Sequence, residues 1–281
     1  MKKIFLLICF LFFLSGCQLA TRTVFVTEDQ QESNFNVTDT LKTINNPTIS
    51  SLDKNDKKID DNLSDNQSTT TISSNYLDKK KVEIPVKVEW PVSFAQQAPF
   101  ANWDQVHEEA CEEASMIMVA KYFYKQALSE MIMEQELQKL LKWEAENNYQ
   151  VDLTAREVTE ILKDYFGLTA IISEEITVDK IKYELSQGNL IIVPAAGRQL
   201  RNPNFKQPGP IYHMLVIKGY NDREFITNDP GTRKGNSYKY TQEILLNAIH
   251  DWDHQLAQEG MTEKEMEQGI KRIIIIKNQS K

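Results

Sequence analysis

The chain has 281 residues, of which 41% are hydrophobic, and a formal net charge of −8 from 32 basic and 40 acidic side chains. The mean hydropathy of −0.46 excludes a protein with many membrane spans. An acidic chain without a basic block also argues against nucleic-acid binding and against docking on anionic lipid, since both need clustered positive charge.

The first 17 residues have the pattern of an export signal. Lys2 and Lys3 precede ten apolar residues at 4–13, a run too short to cross a bilayer but typical of a signal-peptide core. Residues 14–17 (LSGC) resemble the lipobox of bacterial lipoproteins, which implies lipidation of Cys17. We expect anchoring by lipid alone, in the cell membrane or the outer membrane, facing the extracytoplasmic side. The alternative is an ordinary signal peptide with a chance cysteine.

Residues 18–81 read as a polar tether. Within residues 31–80, 29 of 50 side chains are Ser, Thr, Asn or Asp, with one proline and no glycine. Such a stretch buries too little apolar surface to offset its chain entropy, so the sequence predicts disorder.

Residues 82–281 are long enough for one substantial core. Strand-like alternation at 82–90 is followed by an apolar helix at 111–124 and later by short apolar strands. The predicted helices are 111–124, 129–145, 154–165, 178–187 and 241–255, and the predicted strands are 82–90, 190–195, 212–220, 224–228 and 272–277. Helices first and antiparallel strands later predict an α+β fold.

Cys111 is the one thiol of this region, because Cys9 and Cys17 fall in the signal segment. An odd, sparse cysteine set is no disulfide framework, so Cys111 is either a buried structural thiol or a reactive one. It lies near a helix N-terminus, which favours a thiolate. His213 lies on one predicted strand and Asp229 at the next, and a hairpin would bring them side by side. Thiol, imidazole and carboxylate are the groups of nucleophilic catalysis.

Three segments carry a family resemblance. The motifs QAPF.NW, CEEAS and NDPGTR.G are similar to those of the bacteriocin-processing cysteine peptidases, especially a stand-alone extracellular branch, over residues 83–277. The resemblance implies a papain-like fold with N-terminal helices packed on an antiparallel sheet, and a monomeric peptidase without cofactor or metal. It also implies that Gln97 donates to the oxyanion, Cys111 attacks, His213 shuttles the proton and Asp229 orients His213.

Two differences from the family limit what the resemblance implies about the substrate. The processing peptidases of export transporters usually continue Cys-Gly-Pro, whereas this chain continues Cys111-Glu112-Glu113. No transporter segment accompanies the domain, so a double-glycine leader is not implied as the substrate. We expect a peptide or protein substrate, whose sequence the resemblance does not specify.

Several site residues have alternatives. Asn228 is an alternative to Asp229 as the orienting group, and Gln97 is alternatively a surface amide. His107, four residues before Cys111, is a weaker candidate for the base. On a continuous helix His250 and His254 would share one face, as a metal pair does, but no third ligand is evident.

The acidic residues around the thiol are a further open point, because negative charge raises a cysteine pKa. They favour a helix N-terminus electrostatically, and if they line the cleft they favour a basic substrate. The residues concerned are Glu108, Glu109, Glu112 and Glu113. Alternative functions are a catalytically silent peptide- or wall-binding module, a peptidoglycan amidase, and a transglutaminase-like acyl transferase.

Overall fold

The structure is a computed structural model that describes residues 83–255 and 261–279. The predicted signal peptide at 1–17, including Cys17, and the predicted tether at 18–81 lie outside the described residues. Within the described ranges, no helix is both long enough and apolar enough to cross a membrane.

Seven helices and seven strands make up the described part of the chain. The helices are α1 Gln105–Glu108, α2 Cys111–Phe123, α3 Glu130–Glu146, α4 Ala155–Asp164, α5 Val178–Ser186, α6 Gln242–Ala248 and α7 Glu263–Met266, with a short 3-10 helix at Gly197–Leu200. The strands are β1 Val88–Glu89, β2 Ala170–Ser173, β3 Leu190–Ala196, β4 Tyr212–Tyr220, β5 Glu224–Asn228, β6 Tyr238–Thr241 and β7 Ile273–Ile276.

The strands form one antiparallel sheet in the order β2-β7-β3-β4-β5-β6, and β1 pairs with β4. Every residue of β3 and β4 is buried, because helices cover both faces of the sheet. Side chains alternate between the faces, so Met214 and Val216 pack with α2 to α4 while Leu215 and Ile217 pack with α5 and α6. The α+β prediction, with N-terminal helices on an antiparallel sheet, is confirmed.

Hydroxyl caps explain where several helices begin. Ser129, Thr154, Thr177 and Thr241 each accept a backbone N–H of the first turn, and Thr154 forms a reciprocal capping box with Glu157. A side-chain cap satisfies one of the free N–H groups of a helix and is worth about 1 kcal/mol. These local interactions place α3 to α6 within one or two residues of their predicted starts.

Two predicted elements differ from the structure, and α1, α7, β2 and β6 were not predicted. The strand predicted at 82–90 is reduced to β1. The helix predicted at 241–255 ends at Ala248, because the His250 amide donates to Pro194 O (3.2 Å) and the Asp251 amide to Ile270 O (2.8 Å). Tertiary backbone hydrogen bonds thus replace the helical ones that the sequence pattern favoured.

Candidate active site

His213 and Asp229 are in direct contact. His213 is the second residue of β4, Asp229 directly follows β5, and their Nε2 and Oδ1 atoms are 2.8 Å apart. Both side chains are buried, with 2% of His213 and 0% of Asp229 exposed. Since Nε2 bonds a carboxylate, it carries the proton, and Nδ1 is left as the ring atom able to accept one.

Asp229 has hydrogen-bond donors at both carboxylate oxygens. Oδ1 also accepts the Gly231 amide (3.1 Å), and Oδ2 accepts Asn202 Nδ2 (3.1 Å) and Tyr240 Oη (2.5 Å). Burial alone raises the pKa of Asp229, but the His213 charge and these hydrogen bonds outweigh it, so the net pKa lies below the ordinary value. The carboxylate therefore stays ionised although it is buried.

Strand alternation decides between the two orienting candidates. Asn228 pairs with Val216 in the β4–β5 register, so the side chains of Asn228 and His213 project from opposite faces of the sheet. There Asn228 Nδ2 donates to Val92 O (3.1 Å) and Ser93 O (3.2 Å). Asn228 holds a backbone segment, and it is Asp229 that contacts the imidazole.

The imidazole is held between an aromatic ring and a glycine. The ring of Phe205 packs edge-on against that of His213, with centroids 5.2 Å apart. A Cβ atom on Gly231 would lie 2.8 Å from His213 Cε1 and 3.1 Å from Phe205 Cε1. Only glycine fits at 231 without moving the ring, so packing restricts the imidazole in addition to its bond to the carboxylate.

Cys111 is the first residue of α2 and is 6% exposed. Its Sγ donates to Glu112 Oε2 at 3.0 Å. Burial raises the pKa of the thiol well above its usual range, and the nearby carboxylates of Glu112 and Glu113 raise it further. In this arrangement the thiol is protonated, although it lies at a helix N-terminus.

Cys111 and His213 line the same cavity of about 1080 Å³. No hydrogen bond joins Sγ to the imidazole; among the described residues the thiol donates to Glu112. The backbone of Met214, the residue after His213, is nevertheless close enough to Cys111 to oppose the rise in its pKa, and Met214 O accepts Ser115 Oγ (3.2 Å). The first turn of α2 is therefore attached to the strand segment that carries His213.

Gln97 is buried, so the surface-amide alternative is wrong. It is 3% exposed and lines the cavity that contains Cys111. Its Nε2 donates to the carbonyl oxygens of His107 and Glu108, each at 2.9 Å, and its Oε1 has no hydrogen-bond partner. Both amide hydrogens therefore point to the end of α1, and one has to be released before it can reach an oxyanion.

Three buried carboxyl groups lie behind the thiol. Glu112, Glu113 and Glu144 are at most 5% exposed, and each has one oxygen without a partner. Burial raises the pKa of all three, that of Glu144 to about 7, and repulsion from a neighbouring carboxylate of the cluster raises each pKa further. Glu113 and Glu144 are close enough for each to shift the pKa of the other.

The remaining histidines have other partners. His107 contacts Asp104 Oδ1 (2.7 Å) and Glu134 Oε2 (3.0 Å) through its two ring nitrogens. Because α6 ends before His250, that residue and His254 do not share a helical face, and the predicted pairing is wrong. His254 instead contacts Glu157 Oε2 at 3.1 Å. Residues 83–255 and 261–279 contain no cluster of three or more His, Cys, Asp or Glu side chains suited to a metal ion.

Three functional neighbours were missed from sequence. Asn202 and Tyr240 hold Asp229, and Phe205 packs on His213. Asn202 and Phe205 belong to a loop before β4 that carries no motif, so no sequence pattern pointed to them. Tyr240 lies on the unpredicted strand β6, where its alternation with the exposed Lys239 and Thr241 was the available signal.

The chain is similar to a known protein family and to two solved structures. The model of the Peptidase_C39 like family matches residues 91–258, more than half of the chain. A solved structure from Bacillus anthracis described as a C39-like peptidase is 15% identical, with a TM-score of 0.44, and the match covers 69% of this chain and 99% of the other. Xylellain, a cysteine protease from Xylella fastidiosa, is 14% identical, with a TM-score of 0.34 and coverages of 69% and 87%. The search of curated proteins gave no match.

Proposed function

We propose, from the premise that the chain belongs to the Peptidase C39-like family, that it hydrolyses peptide bonds with Cys111, His213 and Asp229 as a catalytic triad. The observation that carries this proposal is the buried pair of His213 and Asp229, because His213 lines the same cavity as Cys111. A cysteine-peptidase domain is what the family match supports; the triad assignment is our inference from the contacts.

The first step is proton transfer from the thiol to the imidazole. The bond from His213 Nε2 to Asp229 fixes the tautomer that leaves Nδ1 free as the base, and the ionised Asp229 stabilises the imidazolium that forms. The step requires Sγ to turn from Glu112 Oε2 towards the ring. Protonation of Glu112 removes the charge from the competing acceptor and so favours this turn.

The thiolate then attacks the scissile carbonyl carbon to give a tetrahedral intermediate. Its oxyanion accepts hydrogen bonds from the backbone N–H groups at the start of α2. It accepts a further hydrogen bond from Gln97 Nε2, once that amide has released one of the α1 carbonyls. The imidazolium returns its proton to the leaving amine, and a thioester with Cys111 remains. Water, deprotonated by His213, hydrolyses the thioester and restores the thiol.

The test of this function uses the matched variants Cys111→Ala and Cys111→Ser on a mixed peptide library. We expect both to abolish cleavage and to keep the far-UV circular dichroism spectrum and melting temperature of the parent. A protein that is inactive at the start, or a Cys111→Ala variant that cleaves at the parental rate, would falsify the assignment.

A binding module without catalysis is the second candidate. It is favoured by one observation, the thiol held by Glu112 with a raised pKa. The pH profile of alkylation at Cys111 separates the two functions. A catalytic pair gives a reactive thiolate at neutral pH when a substrate peptide is present, whereas a silent module reacts only above the pKa of an ordinary thiol, about 8.5, with or without peptide.

We further propose that the protein is held at the cell surface by lipid on Cys17. The support is the sequence pattern of residues 2–17. Metabolic labelling with a fatty acid is expected to mark the full chain and not the Cys17→Ser variant, which should leave the membrane fraction. Equal labelling of both would contradict the anchor.

A further inference from the structure

The side-chain amide of Gln97 depends on two carbonyl groups for its orientation. Its Nε2 donates to His107 O and Glu108 O, each at 2.9 Å, and its Oε1 has no partner among the described residues. The Gln97 backbone is fixed separately, since its N–H donates to Pro230 O (3.1 Å), directly after Asp229. Whatever holds the two carbonyls therefore also orients the amide.

The two carbonyls belong to the end of α1, which is too short to hold its own position. A single helical turn fixes several dihedral angles for few hydrogen bonds and is not stable in isolation. His107 is the buried residue of this turn, with 3% of its surface exposed, while the other three α1 residues are exposed. The attachment of the His107 side chain therefore decides where the α1 carbonyls lie.

The ring of His107 is attached to the N-cap of α1 and to α3. Asp104 Oδ1 accepts the His107 backbone N–H (3.0 Å) and contacts ring Nδ1 (2.7 Å), while ring Nε2 contacts Glu134 Oε2 at 3.0 Å. Asn102 Nδ2 also lies within 3.2 Å of both ring nitrogens. The hydrogen bonds from His107 hold the pKa of Asp104 below its ordinary value, so this partner is ionised. Contacts from separate segments thus fix the imidazole.

Glu134 gives this attachment a rigid end. It lies on α3 next to Met133 and one turn before Leu137, whose side chains are fully buried in the core that α2 also forms. A helix anchored by such side chains does not shift without disturbing a close-packed interior. The contacts therefore run from the core through Glu134 and His107 to the α1 carbonyls, and from there to the Gln97 amide.

We infer that His107 is a positioning residue for Gln97: it holds the α1 carbonyls where they keep one amide hydrogen bound while the other turns to the oxyanion of the tetrahedral intermediate. The inference rests on the proposed peptidase function, in which Gln97 donates to that oxyanion. Glu108 is three residues before Cys111, which keeps the two Cα atoms within roughly 11 Å of each other. An oxyanion donor contributes most when it is oriented before the charge forms.

A double-mutant cycle of His107→Phe with Gln97→Ala tests this role in the full chain. Phenylalanine keeps a ring but loses both nitrogens, and the side chains of Asp104 and Glu134 are 59% and 23% exposed, so water can solvate them and we expect the variant to fold. We expect kcat to fall about tenfold, less than the 10² to 10³-fold of losing an oxyanion donor outright. In the Gln97→Ala background the same substitution should have no effect, because the residue through which it acts is gone.

Further measurements separate positioning from a general structural role. Because the oxyanion forms only on the way through the transition state, kcat and kcat/KM should fall together while KM stays the same. Glu134→Gln keeps an acceptor oxygen for the ring but removes the charge, so it should cost only about threefold, and it tests the role even if His107→Phe does not fold. The matched control is His250→Phe, which removes another buried imidazole that does not line the cavity and should leave kcat unchanged.

Three results would overturn the positioning role. One is a loss at His107 that is equally large with and without Gln97, because the two residues would then act independently. Another is a loss that appears in KM, which would indicate a damaged cavity wall. The third is a faster His107→Phe protein, which would mean that the α1 carbonyls keep the amide from the oxyanion.

A readout without turnover separates failure of the positioning role from failure of the peptidase. The protein is labelled with isotopic glutamine, and NMR follows the two Nε2 hydrogens of Gln97, which are identified by their loss in Gln97→Ala. We expect them to exchange slowly with solvent in the parent and about tenfold faster in His107→Phe, with no change in His250→Phe. Faster exchange in His107→Phe, beside a parent that cuts no peptide, would keep the contact and end the peptidase assignment. Unchanged exchange in a protein that cuts peptides would end the positioning role alone.

Discussion

The buried carboxyl beside the imidazole and the three buried carboxyls near the thiol have opposite properties. Asp229 is fully buried, accepts four hydrogen bonds and has a lowered pKa. Glu112, Glu113 and Glu144 are almost as buried, yet each keeps an unpartnered oxygen and a raised pKa.

The difference shows that burial does not by itself decide the charge of an acid. Desolvation raises the pKa in both groups, and only on the imidazole side do enough donors face the carboxylate to reverse the effect. The imidazole side is therefore built to hold a negative charge, and the thiol side resists one. Substitutions on each side measure how much this difference contributes to activity, to stability and to the reactivity of the thiol.

The largest effect is expected from Asp229→Asn. It removes the charge that stabilises the imidazolium and puts an amide N–H₂ in place of one of the two acceptor oxygens, where His213, Gly231, Asn202 and Tyr240 all donate, so the cleavage rate should fall by about 10³ to 10⁴-fold. Steady-state kinetics on a cleaved peptide measures it. As a graded comparison, Tyr240→Phe removes one of the four hydrogen bonds and should cost about tenfold, or roughly 1.4 kcal/mol. Equal losses in the two variants would contradict this assignment of roles.

On the thiol side, Glu144→Gln should increase the stability of the protein at alkaline pH. The folded pKa of about 7 lies above the ordinary value, so the folded state binds more protons and the parent loses stability as the pH rises from about 4.5 to 7. The change is about 3 kcal/mol at about 1.4 kcal/mol per unit of pKa shift. Urea unfolding at pH 5 and pH 8 measures it.

The control for this prediction is Glu146→Gln, two residues further along, where the side chain is exposed and its ion pair within residues 83–255 and 261–279 is with Lys142. It should leave the pH dependence of unfolding unchanged. If the unfolding free energy of the parent is the same at pH 5 and pH 8, ionisation of Glu144 does not destabilise the folded protein and the prediction is wrong.

A smaller effect is expected from Glu112→Gln at the thiol itself. Glu112 follows burial as a cause of the raised Cys111 pKa, and the substitution removes its charge. The midpoint of the alkylation profile should therefore move down by about one pH unit. Glu113→Gln, whose charge is a lesser cause, should move it by less, and a reversed order would contradict the contact seen at Glu112.

Local sequence patterns were sufficient for much of the fold. Strands β4 and β5 begin and end at the predicted residues, because their apolar runs are bounded by turn residues. Helices α3 and α4 begin at hydroxyl caps visible in the sequence, Ser129 and Thr154. The thiol, the imidazole and the two candidates for the carboxylate were found in the same way, since each borders one of these elements.

What the sequence by itself determined was therefore periodic or local: the α+β class, the central strands and the positions of Cys111 and His213. Only the tertiary structure decided which side chains meet, because those contacts join residues far apart in the chain. Asn202 reaches Asp229 across 27 residues, Glu113 meets Glu144 from another helix, and the backbone around His250 leaves its helix for β3. Side-chain hydrogen bonds and burial depend on such approaches, and no pattern within a single segment encodes them.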